Sequence, residues 1–279
     1  MSDSLLFNRI ATLKVIARNK ADKILEVRDF TGLRVNFTVE KTSESNANTA
    51  KISIFNLNES SRGFCEKKGQ ALILEVGYAP LNQDIIKEII FQGDTGKVSS
   101  ERQGPDWVTT FEVGDGEKNL TNKNFNKVFQ KSASLRTMID EVVGSLGFSK
   151  GPVDGIEDKT FNSPVVLSGG SKEILDQLTR EAGVEWSVQN GSLQILKPSK
   201  GSKEEVVVIS KETGLLNVPV KREEGIEVTC LIQPKLYPGR RIQIISSTFN
   251  GIFRIRKSNF DGDTREGDWK AKLECLEIK

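Results

Sequence analysis

The sequence predicts a mainly β protein with a smaller α+β part, in which two related antiparallel β-barrel domains flank an α+β insert. In the first and last parts of the chain, apolar and polar residues alternate over short segments, which is the period of half-buried strands. In the middle part, the apolar residues change to the spacing of one helical face. A hairpin-like segment with an Asp-Trp pair occurs twice, once in each strand-rich part.

The first part of the chain contains several short alternating segments separated by turn residues. Apolar residues take every second position in residues 33–39, 51–54 and 72–78. Several short strands at this spacing are typical of an antiparallel sandwich or barrel. Residues 58–67 fit one or two helical turns, for which Asn58 or Ser60 is a suitable N-cap. We therefore predict a first β-barrel domain over residues 1–122.

The middle part contains two predicted helices and a hairpin. The limits of the helices are Ser134 and Gly147 for the first, and Ser171 and Gly183 for the second. The apolar face of the first comprises Leu135, Met138, Ile139, Val142, Val143 and Leu146. Asn190-Gly191 then separates two short apolar strands, and this dipeptide is the strongest local signal for a β-hairpin. We predict an α+β inserted domain over residues 123–200.

The last part returns to the strand period after a polar segment. Residues 197–203 are rich in Lys, Ser and Gly, which predicts a linker. Apolar strand segments follow at residues 206–209, 226–232, 242–245 and 252–255. We predict a second β-barrel domain over residues 201–279.

The repeated hairpin relates the two strand-rich parts. Phe91 and Trp107 are 16 positions apart, and so are Phe253 and Trp269. An Asp precedes each Trp, and a Gly stands just before an apolar strand upstream of both segments. Such self-similarity indicates one structural unit used twice. We predict that these four aromatic residues are structural anchors of two equivalent hairpins.

The charge and the cysteines limit the kinds of partner. The formal net charge is +2, which argues against a dedicated nucleic-acid binder, so we predict no specific nucleic-acid binding. No apolar run approaches the length of about 18 residues that a membrane-spanning helix needs, so we predict no membrane insertion. The three widely spaced cysteines, Cys65, Cys230 and Cys275, suit buried thiols in a protein made in a reducing cytoplasm.

The absence of histidine restricts catalysis. It excludes Ser-His-Asp and Cys-His nucleophilic sites and the usual imidazole zinc sites. Carboxylate pairs of the kind used by glycosidases cannot be told from chance among 38 acidic residues. We therefore predict no enzyme activity, no catalytic residue and no cofactor.

Three other patterns have a structural and a functional interpretation. Residues 114–118 are glycine-rich and end in Lys, but they lack phosphate-loop spacing and favour a turn. Residues 261–268 carry four carboxylates, yet Arg265 and Glu266 occupy positions where a calcium loop needs an oxygen ligand and a Gly, which favours a solvated hairpin loop. The three tryptophans, Trp107 among them, fit core or barrel-edge anchors better than a stacking platform.

An ordered series of segments across the chain carries a family resemblance. The segments are VNFTVEKTSESNANTAKISIFNLN, KKGQALILEVGY and IIFQGDTGKVSSERQGPDWVTTFEVGDGEK in the first part, ILDQLTREAGVEWSVQNGSLQIL in the middle part, and residues 214–219, 233–239 and 267–269 in the last part. This series resembles the baseplate hub proteins of contractile-tailed bacteriophages and related contractile injection systems. The middle segment is similar to the inserted domain of those hubs, and the last segments resemble their C-terminal barrel. The resemblance covers nearly the whole chain and transfers no active-site residue.

The resemblance implies a structural role in the tail baseplate of a virion. The hub of this family is a homotrimer whose two tube-like barrels per chain form a pseudo-six-fold ring with a channel for DNA. The ring joins the six-fold tail tube to the three-fold central spike and so acts as a symmetry adaptor from which the tube starts. The implied partners are the tail tube and central spike proteins, with tape measure and baseplate wedge proteins as further candidates.

Two alternatives stay open at this level. One is a tail-associated protein that binds or degrades the cell wall, against which the lack of histidine and of a carboxylate motif argues. The other is a fused hub and spike of a related injection system. A fused spike would need a repetitive β-helix tract, and the sequence contains none.

Overall fold

In the computed structural model, which describes residues 6, 8–19, 23–80, 84–157 and 159–278, the chain folds around one large sheet and a smaller α+β part. The large sheet has 13 strands, and two further sheets of two and three strands lie in the middle of the chain. The predicted mainly β class is confirmed. Within the described residues, no helix has both the length and the apolar character needed to cross a bilayer.

The elements of the first part follow the alternating segments. They are β1 (Arg9–Arg18), β2 (Ile24–Thr31), β3 (Val35–Thr42), β4 (Thr49–Phe55), α1 (Glu59–Cys65), β5 (Gln70–Tyr78), β6 (Ile86–Gln103) and β7 (Asp106–Gly114). Every second side chain of β3 is buried, as the alternation predicts. The predicted helical turns form α1, and the Asn58 side chain accepts a 2.8 Å hydrogen bond from the backbone N–H of Ser61.

The middle part builds its own small core. Its elements are α2 (Glu117–Asn122), β8 (Asn124–Phe129), α3 (Leu135–Leu146), β9 (Ser149–Val153), β10 (Val165–Gly170), α4 (Ser171–Ala182), β11 (Glu185–Gln189) and β12 (Ser192–Leu196). The two predicted helices are α3 and α4, with Ser134 as the cap of α3. The predicted Asn190-Gly191 hairpin is present, with φ values of 53° and 75°. The apolar face of α3 packs in a core separate from that of the large sheet.

The last part completes the large sheet. Its strands are β13 (Val207–Ile209), β14 (Val220–Arg222), β15 (Gly225–Leu231), β16 (Arg241–Ile245), β17 (Asn250–Asp263) and β18 (Trp269–Glu277). Both long hairpins predicted from the repeat are present, as β6–β7 and β17–β18.

The predicted linker is held against the last part by arginine side chains. The Arg254 guanidinium donates a 2.8 Å hydrogen bond to the carbonyl of Pro198, and Arg240 pairs with Glu204. The backbone N–H of Ser202 donates to the carbonyl of Gly239 at 2.8 Å. Composition alone predicted a solvated linker because the arginines that hold it lie more than 30 residues downstream.

The prediction of two separate antiparallel barrels needs correction. The hydrogen-bonded path runs β14-β15-β18-β17-β3-β4-β7-β6-β5-β1-β2, and no pairing between β2 and β14 closes it among the described residues. The sheet is also not wholly antiparallel, because β13 pairs in parallel with β16. Apolar residues from both ends of the chain, such as Leu13, Ile52 and Leu273, belong to one core.

Strand β17 is the reason why one sheet replaces two barrels. Its first residues pair with β16, while Lys257–Asp263 pair with Asn36–Thr42 of β3 and carry the sheet from the last part of the chain into the first. A bulge between Ile255 and Lys257 lies where the partner changes. Bulges bend a strand and increase its twist, which suits a strand that serves two partners.

The three cysteines are buried and unbridged, as predicted. Burial raises the pKa of the Cys65 and Cys230 thiols to about 12, and it also raises the pKa of Cys275. These thiols therefore stay protonated and unreactive at neutral pH.

Candidate assembly surfaces

The four predicted hairpin anchors differ in their surroundings. Phe91, Phe253 and Trp269 are buried, whereas 38% of Trp107 is exposed. The guanidinium of Arg62 lies 4.1 Å from the centroid of the Trp107 ring and covers part of it. The structure thus places three of the four in the shared core, and their equivalence as anchors stays a prediction.

Trp269 packs in an aromatic cluster of the shared core. Its ring meets those of Phe37 and Tyr78 edge-on, at centroid distances of 5.6 and 6.3 Å. Gly262 lies directly opposite Trp269 on β17, and a Cβ atom there would approach the Phe37 ring to 2.3 Å. Only glycine fits at position 262 without a shift of the Phe37 ring, because the aromatic cluster fills the space that a side chain there would need.

The large sheet repeats one order of strand neighbours. In the first unit, defined as β1 to β7, the order is β3-β4-β7-β6-β5-β1. In the second unit, β13 to β18, it is β14-β15-β18-β17-β16-β13. Each strand of one order thus has a counterpart at the same place in the other. The units also differ, because β2 has no counterpart among the described strands and β13–β16 is parallel whereas β1–β5 is antiparallel.

One side of the sheet forms a continuous polar face across both units. We define the polar face as the outward side chains of β15, β18, β17, β3, β4 and β7. Across it, Lys270, Asp261, Thr38, Lys51 and Glu112 lie directly opposite one another in turn. The residues before and after each of these in the chain point into the shared core. The polar residues of the alternating strand pattern therefore lie on this face, and the apolar ones lie in the core.

The charges of the polar face alternate in sign. A second row runs through Lys272, Asn259, Glu40 and Thr49. The Lys272 ammonium lies 3.2 Å from the carboxylate of Glu227, at the end of the face. The described charged residues on this side of the six strands are Glu40, Lys51, Asp106, Glu112, Glu227, Arg254, Arg256, Lys257, Asp261, Asp263, Lys270, Lys272 and Glu274. They balance to within one charge, and a shallow depression of about 550 Å³ lies among them.

A buried polar cluster joins the insert to the first unit. The Asp115 carboxylate accepts hydrogen bonds from the backbone N–H groups of Asn190 and Gly191, at 2.8 and 3.0 Å. Lys41 donates to the Asn190 side chain at 2.5 Å, and Asn48 donates to the carbonyl of Val188, also at 2.5 Å. We call Lys41, Asn48, Asp115 and the Asn190-Gly191 turn the insert junction.

Burial changes the acidity of both charged groups of the insert junction. It lowers the pKa of Lys41 to about 8, while the nearby Asp115 carboxylate works in the opposite direction. Burial also raises the pKa of Asp115 against the opposing effects of Lys41 and of the two backbone N–H donors. The junction is thus specific in its hydrogen bonds but costly in desolvation.

Sequence reasoning missed the role of Asp115. The segment 114–118 was interpreted as a plain turn, and the structure instead places Asp115 in the junction and starts α2 at Glu117. In the sequence, only the Asn190-Gly191 dipeptide indicated a part of the junction, namely the turn whose N–H groups bind Asp115. In the carboxylate-rich loop, Asp263 accepts from Arg34 and from the backbone N–H groups of Arg265 and Glu266. Among the described residues, no group of three acidic or cysteine side chains is arranged to hold a metal ion.

Solved structures with the same fold come from tail and secretion systems. A 43 kDa tail protein of prophage MuSo2 from Shewanella oneidensis matches with a TM-score of 0.64 and 12% identity, over 97% of this chain and 98% of that one. An E. coli protein, c3393, matches with a TM-score of 0.60 and 10% identity, over 88% of this chain and 74% of that one. It is described as a component of the type VI secretion system that resembles the T4 tail proteins gp27 and gp5.

A chain of the Francisella PdpA-VgrG complex also matches, with a TM-score of 0.57 and 7% identity, over 98% of this chain and 58% of that one. No curated protein matches the sequence. The sequence does match the family described as "Baseplate hub gp41", over residues 13–275, which is nearly its full length. The chain therefore belongs to the baseplate hub gp41 family, whose members are structural components of the phage tail baseplate.

Proposed function

We propose that this protein is the central hub of a contractile tail and works as a homotrimer that joins a six-fold tail tube to a three-fold spike. The observation that carries the proposal is the repeated order of strand neighbours. Each chain contains two units with the same order of strand neighbours, so three chains around a three-fold axis place six such units in a ring. A closed ring of this kind offers six similar faces to the tube and three identical ones to the spike.

The proposed domains follow the same division. The order of strand neighbours supports a first unit within residues 1–122 and a second within residues 201–279, each acting as one tube-like unit of the assembled ring. The separate core of the middle part supports an inserted domain over residues 123–200. The insert would lie outside the pseudo-six-fold repeat, because it occurs once in each chain.

Exposed apolar residues at a sheet edge support the binding of protein partners. Among the residues that the structure describes, no strand pairs with the outer side of edge strand β2, and Ile24, Leu25 and Val27 on it are 49–65% exposed. Long apolar edges are normally covered, because they invite pairing with another chain. We propose the tail tube and central spike proteins as partners, and tape measure and baseplate wedge proteins as further candidates. The similarity to chains of the type VI secretion system supports a spike partner.

The proposed role is mechanical, without catalysis or a cofactor. The membership of a structural family supports this, as does a sequence without histidine. The protein would be made in the host cytoplasm and act in the tail baseplate of the virion, with a central channel for DNA. The charge balance of the polar face supports passage of DNA without specific binding.

Light scattering and electron microscopy test the proposal together. The purified chain, mixed with its spike partner at micromolar concentration, should elute in a complex whose mass accounts for three copies of the chain plus the spike, and averaged particle images should show a ring with six lobes. Light scattering of the chain alone tells whether the spike is needed. Monomers in both samples, or rings of another symmetry, would contradict the hub proposal.

A further inference from the structure

We propose that Lys41 and Asn190 join in an isopeptide bond that forms without an enzyme once the chain has folded, and that ties the insert covalently to the first unit. Such a bond would form whether or not the chain acts as a hub. The buried positions of β3 alternate with exposed ones, and Lys41 is the last of them, after Val35, Phe37 and Val39. Only 2% of Lys41 is exposed, and a lysine is almost never so buried unless it is paired.

The partner of this lysine is the side-chain amide of the Asn190-Gly191 turn. Lys41 Nζ lies 2.5 Å from Asn190 Oδ1. Because Oδ1 is bonded to Cγ, the nitrogen lies no more than about 3.7 Å from the carbon that it would attack. Groups held this close by a folded chain react far faster than they do in free solution.

The amide is held with its leaving group away from the lysine. Asn190 Nδ2 donates a 3.2 Å hydrogen bond to the carbonyl of Ile89, in an exposed position from which ammonia can leave. Asp115 positions the turn, because its carboxylate binds the backbone N–H groups of Asn190 and Gly191. The electrophile therefore stays in place beside the amine.

The surroundings also favour a reactive amine. Burial lowers the pKa of Lys41 to about 8 and raises the pKa of Asp115, which is the nearby charged group that acts on Lys41. A low-dielectric site favours the neutral form of both groups, an amine beside a carboxylic acid. Desolvated lysines of this kind act as nucleophiles.

The reaction exchanges one amide bond for another. The lone pair of Lys41 Nζ forms a bond to Asn190 Cγ, and the bond from Cγ to Nδ2 breaks. One proton of the amine passes by way of Asp115 to the leaving nitrogen, which departs as ammonia. The exchange consumes no oxidant, reductant or other reactant. In the product, β3 and the turn between β11 and β12 are joined through their side chains.

Mass spectrometry of the full chain measures the bond after increasing times at about pH 8, starting from freshly folded protein in which the amine is free. A growing fraction of the chain should be lighter by one ammonia. After trypsin digestion, this fraction should contain the peptide of Lys41 linked to that of Asn190, without cleavage after Lys41. In the linked chain, Lys41 should no longer contribute to the pH dependence of stability. An unchanged mass after several days would overturn the proposal.

Two variants and an internal control separate this reaction from ordinary loss of ammonia at Asn-Gly. Asn190→Gly removes the amide and keeps the turn, because glycine readily adopts the φ of 53° found there. The linked peptide should be absent from Asn190→Gly and from Lys41→Met, and circular dichroism checks that both fold. The exposed pair Asn250-Gly251 reports the rate of cyclisation without a lysine. Loss of ammonia at Asn190 that persists in Lys41→Met would assign the change to cyclisation and overturn the proposal.

The pH profile of the rate tests Asp115. The rate should rise as Lys41 loses its proton, with a midpoint near the Lys41 pKa of about 8. In Asp115→Asn, the midpoint should move to lower pH, because the opposite charge is gone, and the maximal rate should fall by about 100-fold. A lower rate with an unchanged midpoint would overturn the assignment of proton transfer to Asp115.

Discussion

Replacing Asp115 with asparagine tests how the insert is held on the first unit. The substitution keeps the size of the side chain but leaves one oxygen where the carboxylate offered two. Either the N–H of Asn190 or that of Gly191 then faces an amide NH₂ group in place of an acceptor. The buried ammonium of Lys41 also loses the nearest opposite charge that stabilises it.

The expected cost follows from the burial of this cluster. Removing one partner of a buried charged pair costs about 3–5 kcal/mol, because the other charge stays desolvated. The amide itself is less costly to bury than the carboxylate, whose pKa is raised by burial, so we expect a loss at the lower end, about 3 kcal/mol. Adding Lys41→Met should recover part of this loss, with a coupling of about 1–3 kcal/mol.

Urea unfolding of the wild type, both single variants and the double variant measures the coupling. Hydrogen exchange adds a local readout, since the amides of Asn190 and Gly191 should lose protection in Asp115→Asn before the strands of the large sheet do. Asp84→Asn is the matched control, because Asp84 is exposed and the same chemical change there should alter stability by less than about 0.5 kcal/mol. Equal stabilities for Asp115→Asn and the control, or unchanged protection of the two amides, would refute the reasoning.

Three further substitutions have defined outcomes. Because burial lowers the pKa of Lys41 from 10.5 to about 8, its folded form binds fewer protons between these values than the unfolded chain does. The stability of wild type relative to Lys41→Met should therefore rise by about 3 kcal/mol from pH 8 to pH 10.5, as measured by urea unfolding, and a flat difference would contradict the burial. Gly262→Ala should cost about 1–3 kcal/mol in urea and weaken the near-ultraviolet dichroism of the aromatic cluster, whereas Gly63→Ala, in open space on α1, should be neutral or stabilising. Trp269→Ala should lower the free energy of unfolding by about 3–5 kcal/mol, because the ring is buried, against about 1 kcal/mol for the partly exposed ring in Trp107→Ala. Equal losses of stability in thermal unfolding would contradict this difference between the two rings.

Local patterns predicted most elements of the fold correctly. The caps of α3 and the Asn190-Gly191 turn were readable because each depends on a few adjacent residues. The alternation in β3 predicted its buried face for the same reason. Aromatic residues were less predictable, since Trp107 and Trp269 share a sequence context but only Trp269 is enclosed by rings from distant strands.

The parts that escaped prediction depend on contacts between distant residues. The period of β17 shows that it is a strand, but nothing in it shows that β3, more than 200 residues upstream, is its neighbour. Two separate barrels were therefore expected where one sheet is found. Asp115 was overlooked because its partners, Lys41 and the Asn190 turn, come from two other segments of the chain.

The pairing of β17 with β3 also fixes the order in which the protein can be completed during synthesis. Strand β3 leaves the ribosome more than 200 residues before its partner on one side, Lys257–Asp263. Until then, the nascent first unit exposes an open edge with alternating Val and Phe residues, a template for pairing with a neighbouring chain. The pairing of β3 with β17 is also slow, because the chain between them loses conformational entropy before the two strands make any contact. The edge of β3 is therefore protected only after residues 257–263 have left the ribosome and paired with it.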